Sequence, residues 1–98
     1  MSFIQTISYT TTRVDEIRAL SDQFDRDNPD APGLVSVKFL KDRDRENAYL
    51  MIAEFESYDV AMENSARPET DAFARKMAGL LDGPPAYGNY DVIEERTR

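Results

Sequence analysis

The quartet Asp82–Gly83–Pro84–Pro85 limits the fold of this chain more than any other feature. It closes a helical stretch and opens a last strand, Tyr87 to Ile93, because Gly and Pro punctuate regular structure. That strand completes the order strand, helix, strand, strand, helix, strand. The third strand, Ala48 to Phe55, is apolar on both faces. Two helices cover only one face of a sheet, so the pattern asks for a second covering surface on the other.

The remaining elements follow from periodicity. Phe3 to Tyr9 is the first strand, with Phe3, Gln5, Ile7 and Tyr9 on one face and Ile4, Thr6 and Ser8 on the other. Thr12 and Asp15 approximate a capping box ahead of a helix from about Arg13 to Arg26. Val14, Ile17, Leu20 and Phe24 form its apolar stripe, and Asp22 is spaced to pair with Arg26 on its wet side. Asn28 to Gly33 is a turn, and Leu34 to Leu40 the second strand. In that strand Leu34 and Leu40 oppose Val35, Val37 and Phe39. Lys41 to Glu46 is a solvated hairpin loop. Ser57 caps a short helix, Tyr58 to about Asn64, which Arg67–Pro68 breaks. Pro68 suits a first helical position, and a second segment runs from it to Leu81. This βαββαβ order predicts an α+β ferredoxin-like sandwich over residues 1–98, a single domain. The two-sided apolarity of strands two and three predicts that a second copy covers the open face, in an interface of roughly 1,600 Å².

Composition removes whole classes of chemistry. The chain holds 19 acidic and 12 basic residues, a formal charge of −7, with no basic stripe interleaved with aromatics. Nucleic-acid and anionic-membrane partners are not expected. It has no cysteine, so disulfides and thiolate nucleophiles are excluded. It has no histidine, the usual neutral-pH base and the commonest metal ligand. No tight haem or catalytic metal is expected, and no cofactor. The N-terminal residues lack a signal-peptide pattern and no run reaches transmembrane length, so a cytoplasmic location is expected.

The run Phe55–Glu56–Ser57–Tyr58–Asp59–Val60–Ala61, with Arg67–Pro68–Glu69, Phe73 and Gly83–Pro84–Pro85, resembles the antibiotic biosynthesis monooxygenase-like family. The resemblance spans nearly the whole chain and implies a homodimeric α+β barrel. Members of that family include haem-degrading enzymes that use a histidine and a tryptophan, and this chain has neither. They also include cofactor-independent monooxygenases that turn polycyclic phenols into quinones. The resemblance therefore implies an oxidoreductase acting on an aromatic or polyketide-like small molecule. The alternative is a non-catalytic dimeric module that binds a small molecule or serves structure.

Such an enzyme must bind an aromatic, stabilise a phenolate and exclude water. Asn64 and Tyr49 are the candidate catalytic donors. Gln5, Tyr9, Phe73, Met77 and Tyr87 are the candidate ligand contacts, Phe73 and Met77 as apolar wall. Each has an ordinary structural reading as well. Asn64 can terminate the short helix. Tyr9 and Tyr49 can fill core with a hydrogen bond at the tip. Gln5 can bond across a dimer, and Phe73 and Met77 can be plain core. Arg67 can face an anion or sit on the surface at a kink. Glu54, between Ala53 and Phe55, can be a partly buried base or a group on the sheet rim.

Overall fold

A computed structural model describes residues 2–98. Its elements are β1 (Phe3–Thr10), α1 (Val14–Asp27), β2 (Leu34–Lys41), β3 (Ala48–Phe55), α2 (Tyr58–Ser65), α3 (Pro68–Ala78) and β4 (Ala86–Asp91). The strands form one antiparallel sheet in the order β2-β3-β1-β4. This is the expected ferredoxin-like α+β arrangement, with α2 and α3 together in the second helix slot.

The register decides which row of side chains meets the helices. Phe3, Ala53 and Phe55 pack with Ala61 of α2 in one buried cluster. Tyr9 packs with Ile17 of α1 and Met77 of α3 in a second, flanked by Ile7, Tyr49 and Met51. The row Phe3–Gln5–Ile7–Tyr9 therefore faces the helices, and so does Tyr49–Met51–Ala53–Phe55 across from it. Val37 and Phe39 join this side through Ala53 and Met51, and Tyr87 and Asn89 through Ile7 and Gln5. Ile4, Leu50, Ile52, Leu40 and Tyr90 share the open side with Thr6, Ser8, Lys38 and Glu54.

Simple alternation misplaces one residue of β2. A bulge lies between Leu34 and Ser36, and Leu34 packs against the first cluster. The extra residue puts Leu34 on the same side as Val37 and Phe39 rather than opposite them.

The ends of α1 also differ from expectation. The helix begins at Val14, and Arg13 at its N-cap has no side-chain cap. Thr11, rather than Thr12, organises this corner: its Oγ1 accepts from Arg13 N at 2.9 Å and donates to Leu80 O at 2.6 Å. Arg26 bonds Gln23 Oε1 at 3.0 Å instead of Asp22, a shorter reach on the same exposed face. The other helical boundaries behave as their residues demand. Ser57 Oγ accepts from Val60 N at 3.2 Å, capping α2. Arg67 is extended at φ −70° and ψ 137°, as the residue before a proline prefers, and Pro68 opens α3. Asn47, at φ 60°, turns the loop between β2 and β3, where Asp42 Oδ1 accepts from Asp44 N and Arg45 N.

Two contacts set the relation of α1 to α3. The start of α1 is tied to the end of α3 through Thr11 and Leu80. The turn after α1 meets the start of α3, where Arg67 Nη1 donates to Asp30 O at 3.4 Å. The helices thus run antiparallel over the sheet, and Phe24 and Phe73 pack between them with centroids 5.0 Å apart.

Candidate functional site

Between the sheet and the helices lies an open cavity of about 330 Å³. Ile7, Val37, Phe39, Met51 and Ala53 of the sheet form its floor. Phe24 of α1 and Phe73 and Met77 of α3 form its roof, and Tyr87 of β4 closes one side. Phe39 and Tyr87 are 45% and 59% exposed, so aromatic surface reaches the cavity edge from both edge strands. The lining draws on both core clusters. A cleft of this size with mostly apolar walls has the make-up of a small-molecule site, and Asp25, Asp30, Asp71 and Arg67 bring charge to its lining.

Five of the seven candidate residues meet here: Gln5, Asn64, Phe73, Met77 and Tyr87. Their positions follow from local structure. Gln5 lies mid-strand on the row facing the helices, and its amide donates to Asn89 Oδ1 on the neighbouring β4 at 3.4 Å. The partner expected across a dimer is thus found within the chain, and the Gln5 carbonyl oxygen is left as an acceptor. Asn64 sits one residue before the end of α2 and is half-buried. Backbone groups finish that helix: Arg67 N bonds Asn64 O at 3.2 Å. Arg67 also borders the cavity and is held by Glu69 Oε1 at 2.6 Å.

Tyr9 and Tyr49 are placed elsewhere, which corrects the expectation that they converge with the others. The register sets them opposite one another at the far end of β1 and β3. Their rings stack with centroids 5.8 Å apart, beside Ile17 and Met77, and they border a separate recess with Lys41 and Arg45. Burial pushes the Tyr9 phenol above its ordinary value; the Tyr49 phenol adds to the rise and the Arg18 guanidinium opposes it. Glu54 faces the open side of the sheet, away from the cavity.

Sequence reasoning missed Ser21 and Thr70, which also line the cavity. Short hydroxyl residues in helices read as solvated positions. Ser21 nonetheless stands four residues after Ile17 and three before Phe24, on the apolar stripe. That spacing was the available signal. Among the described residues, no three His, Cys, Asp or Glu side chains gather as a metal-binding set.

No family model matches the chain. No curated protein matches it either. Solved structures do. SnoaB, a cofactor-independent oxygenase from Streptomyces nogalater, is 19% identical, with a TM-score of 0.81 over 96% of this chain and 95% of that one. A protein from Caulobacter crescentus CB15, provisionally named an antibiotic biosynthesis monooxygenase, is 14% identical, with a TM-score of 0.82 over 95% of this chain and 91% of that one. Rv0793 from Mycobacterium tuberculosis is 15% identical, with a TM-score of 0.80 over 99% and 100%. At these identities the likeness establishes the fold. It is the α+β fold of structures named antibiotic biosynthesis monooxygenases, as the sequence resemblance implied.

Proposed function

We propose that this chain is a cofactor-independent monooxygenase-like enzyme that oxidises an aromatic or polyketide-like phenol in the cavity between sheet and helices. The observation that carries the reading is the cavity itself. Its aromatic and thioether walls, with Gln5 and Asn64 among them, suit a flat substrate with a few oriented oxygens. The fold shared with a cofactor-independent oxygenase supports it.

The chemistry asks little of the protein's own functional groups. An electron-rich phenolate passes an electron to dioxygen, and the two radicals combine at a ring carbon bearing hydrogen. Loss of water then leaves a quinone. One oxygen atom enters the ring, the other leaves as water, and the phenol supplies all four electrons. The protein holds the ring, excludes water and stabilises the phenolate. Asn64 is the donor proposed for the developing negative charge, and the Gln5 carbonyl for a substrate hydroxyl. Phe73, Met77 and Tyr87 hold the ring plane.

A second copy of the chain completes the proposed assembly. It covers the open face, where Ile4, Leu50, Ile52, Leu40 and Tyr90 lie together without a helix above them.

A thermal-shift screen of phenols and quinones, followed by oxygen-electrode assays on chelator-treated protein, tests the reading. Expected are a raised Tm with polycyclic phenols, one dioxygen consumed per quinone, and a kcat about 100-fold lower in Asn64→Ala. Stabilisation without oxygen uptake points to the ligand-binding alternative. Failure of every phenol to raise the Tm overturns both.

A further inference from the structure

Resting on the reading of the cavity as a phenol site, we infer that Ser21 and Thr70 are its specificity-determining residues. Their hydroxyls select a fused-ring substrate that carries oxygen away from the reacting position. Both residues line the cavity. Among the described residues, Ser21 Oγ and Thr70 Oγ1 are the two buried side-chain oxygens that no protein group hydrogen-bonds.

Buried hydroxyls are normally paired, because an unpaired one forfeits its hydration. This fold pairs others. Thr11 is fully buried and makes two hydrogen bonds. Ser65, also on the cavity lining, donates to Ala61 O one turn back at 3.1 Å. Ser21 has the same relation to Ile17 in α1 and does not use it. Thr70 lies in the first turn of α3, where the residue four back, Ala66, precedes the break at Arg67. Two residues on facing helices thus border one cavity, each with a covered hydroxyl that has no protein partner to hold it back from a ligand.

Their spacing narrows the ligand class. Ser21 precedes Phe24 by one turn, and Thr70 precedes Phe73 by one turn. Those two rings pack together, and the helices run antiparallel. The hydroxyls therefore flank the ring pair on opposite sides, at axial levels about 9 Å apart at 1.5 Å rise per residue. They are too far apart to share one oxygen. Each addresses a different position on the ring system. A hydroxyl donates or accepts, so a phenol or a carbonyl oxygen suits either. Both oxygens are covered in the structure, and a χ1 rotation between staggered positions turns them to a ligand.

The experiment is isothermal titration of 1-naphthol and of 1,5-, 1,6- and 1,7-dihydroxynaphthalene into wild type, Ser21→Ala and Thr70→Val. In wild type at least one dihydroxy compound is expected to bind about tenfold more tightly than 1-naphthol, the worth of one good hydrogen bond. One of the variants cancels that advantage while its affinity for 1-naphthol stays within about twofold. The Tm of Ser21→Ala is equal to or above that of wild type. Equal affinity for all four compounds in wild type overturns the inference, as does an advantage that survives in both variants. So does a parallel loss of affinity for 1-naphthol, the mark of a merely structural role. If wild type binds none of the naphthols, the phenol-site reading fails and the inference falls with it.

Discussion

Replacing Gly33 with alanine should destabilise the domain by two separable effects. Gly33 has φ 79°, in the left-handed region, and its carbonyl accepts from Glu56 N at 2.8 Å. The backbone is therefore held where an L side chain is strained. A Cβ there would drive into Val60 Cγ1, with Val60 Cβ at 3.2 Å and Cγ2 at 3.3 Å. Rotating Val60 gives no relief, because both γ carbons lie on the approach and a helical valine is stiff at χ1. The backbone conformation costs about 1–2 kcal/mol and the overpacking about 1–3, together about 2–5 kcal/mol. Against a total of about 5–15 kcal/mol, that is a large fraction. Thermal unfolding followed by circular dichroism should show a Tm lower by roughly 10–25 °C. Adding Val60→Ala removes both γ carbons, which relieves most of the clash, and leaves the 3.2 Å contact to Cβ and the φ strain. The double variant should therefore lose less than the two single changes summed. A Tm within a few degrees of wild type for Gly33→Ala, or strict additivity in the cycle, would refute the reasoning.

Other perturbations follow from the same geometry. Thr11→Val keeps the shape but leaves Arg13 N and Leu80 O without their partner, and urea titration should show a loss of about 1–3 kcal/mol. Tyr9 should ionise above the ordinary 10.0 in a spectrophotometric titration, and Tyr9→Phe should remove that step. Its folded value lies above its unfolded one, so its contribution to stability is complete below pH 10 and lost as pH rises through the folded value; retained stability through that window would contradict it. Light scattering coupled to size exclusion should give a mass near twice 11.2 kDa at micromolar concentration, and Ile52→Lys on the open face should return the monomer. A wild type that elutes as a monomer throughout would remove the dimer from the proposal.

The order of elements was legible because its boundaries are chemical. Asp82 to Pro85, Ser57 and Arg67–Pro68 each do one local thing, and neighbours seldom override it. The bulge at Val35 was not legible. It depends on pairing with β3, and nothing in Leu34–Val35–Ser36 announces an extra residue. Which row faces the helices was hidden for the same reason, since β2 and β3 are apolar on both sides. The candidate site divides along that line. Gln5, Asn64, Phe73, Met77 and Tyr87 share one cavity, and they stood out as candidates because amides, aromatics and a thioether are distinctive by type. Tyr9 and Tyr49 have the right type and the right face, yet register stacks them at the wrong end of the sheet. Ser21 and Thr70 were missed because a small hydroxyl matters here through burial and lack of a partner. Both are properties of packing rather than of residue type.

The strand order β2-β3-β1-β4 also sets the sequence of events during synthesis. The β2–β3 hairpin closes across a short loop and can form early. The strand beside β3, β1, is made first but borders β4, whose pairing joins Phe3 to Asp91 and Ser8 to Ala86. Until residues 86–91 leave the ribosome, β1 keeps one edge of backbone N–H and C=O groups unmet. Such an edge is a template for pairing with other chains. Pairings between distant segments also form slowly. The nascent chain is thus most exposed to aggregation just before its last strand emerges. A translational pause that keeps residues 86–91 inside the ribosome would prolong that interval.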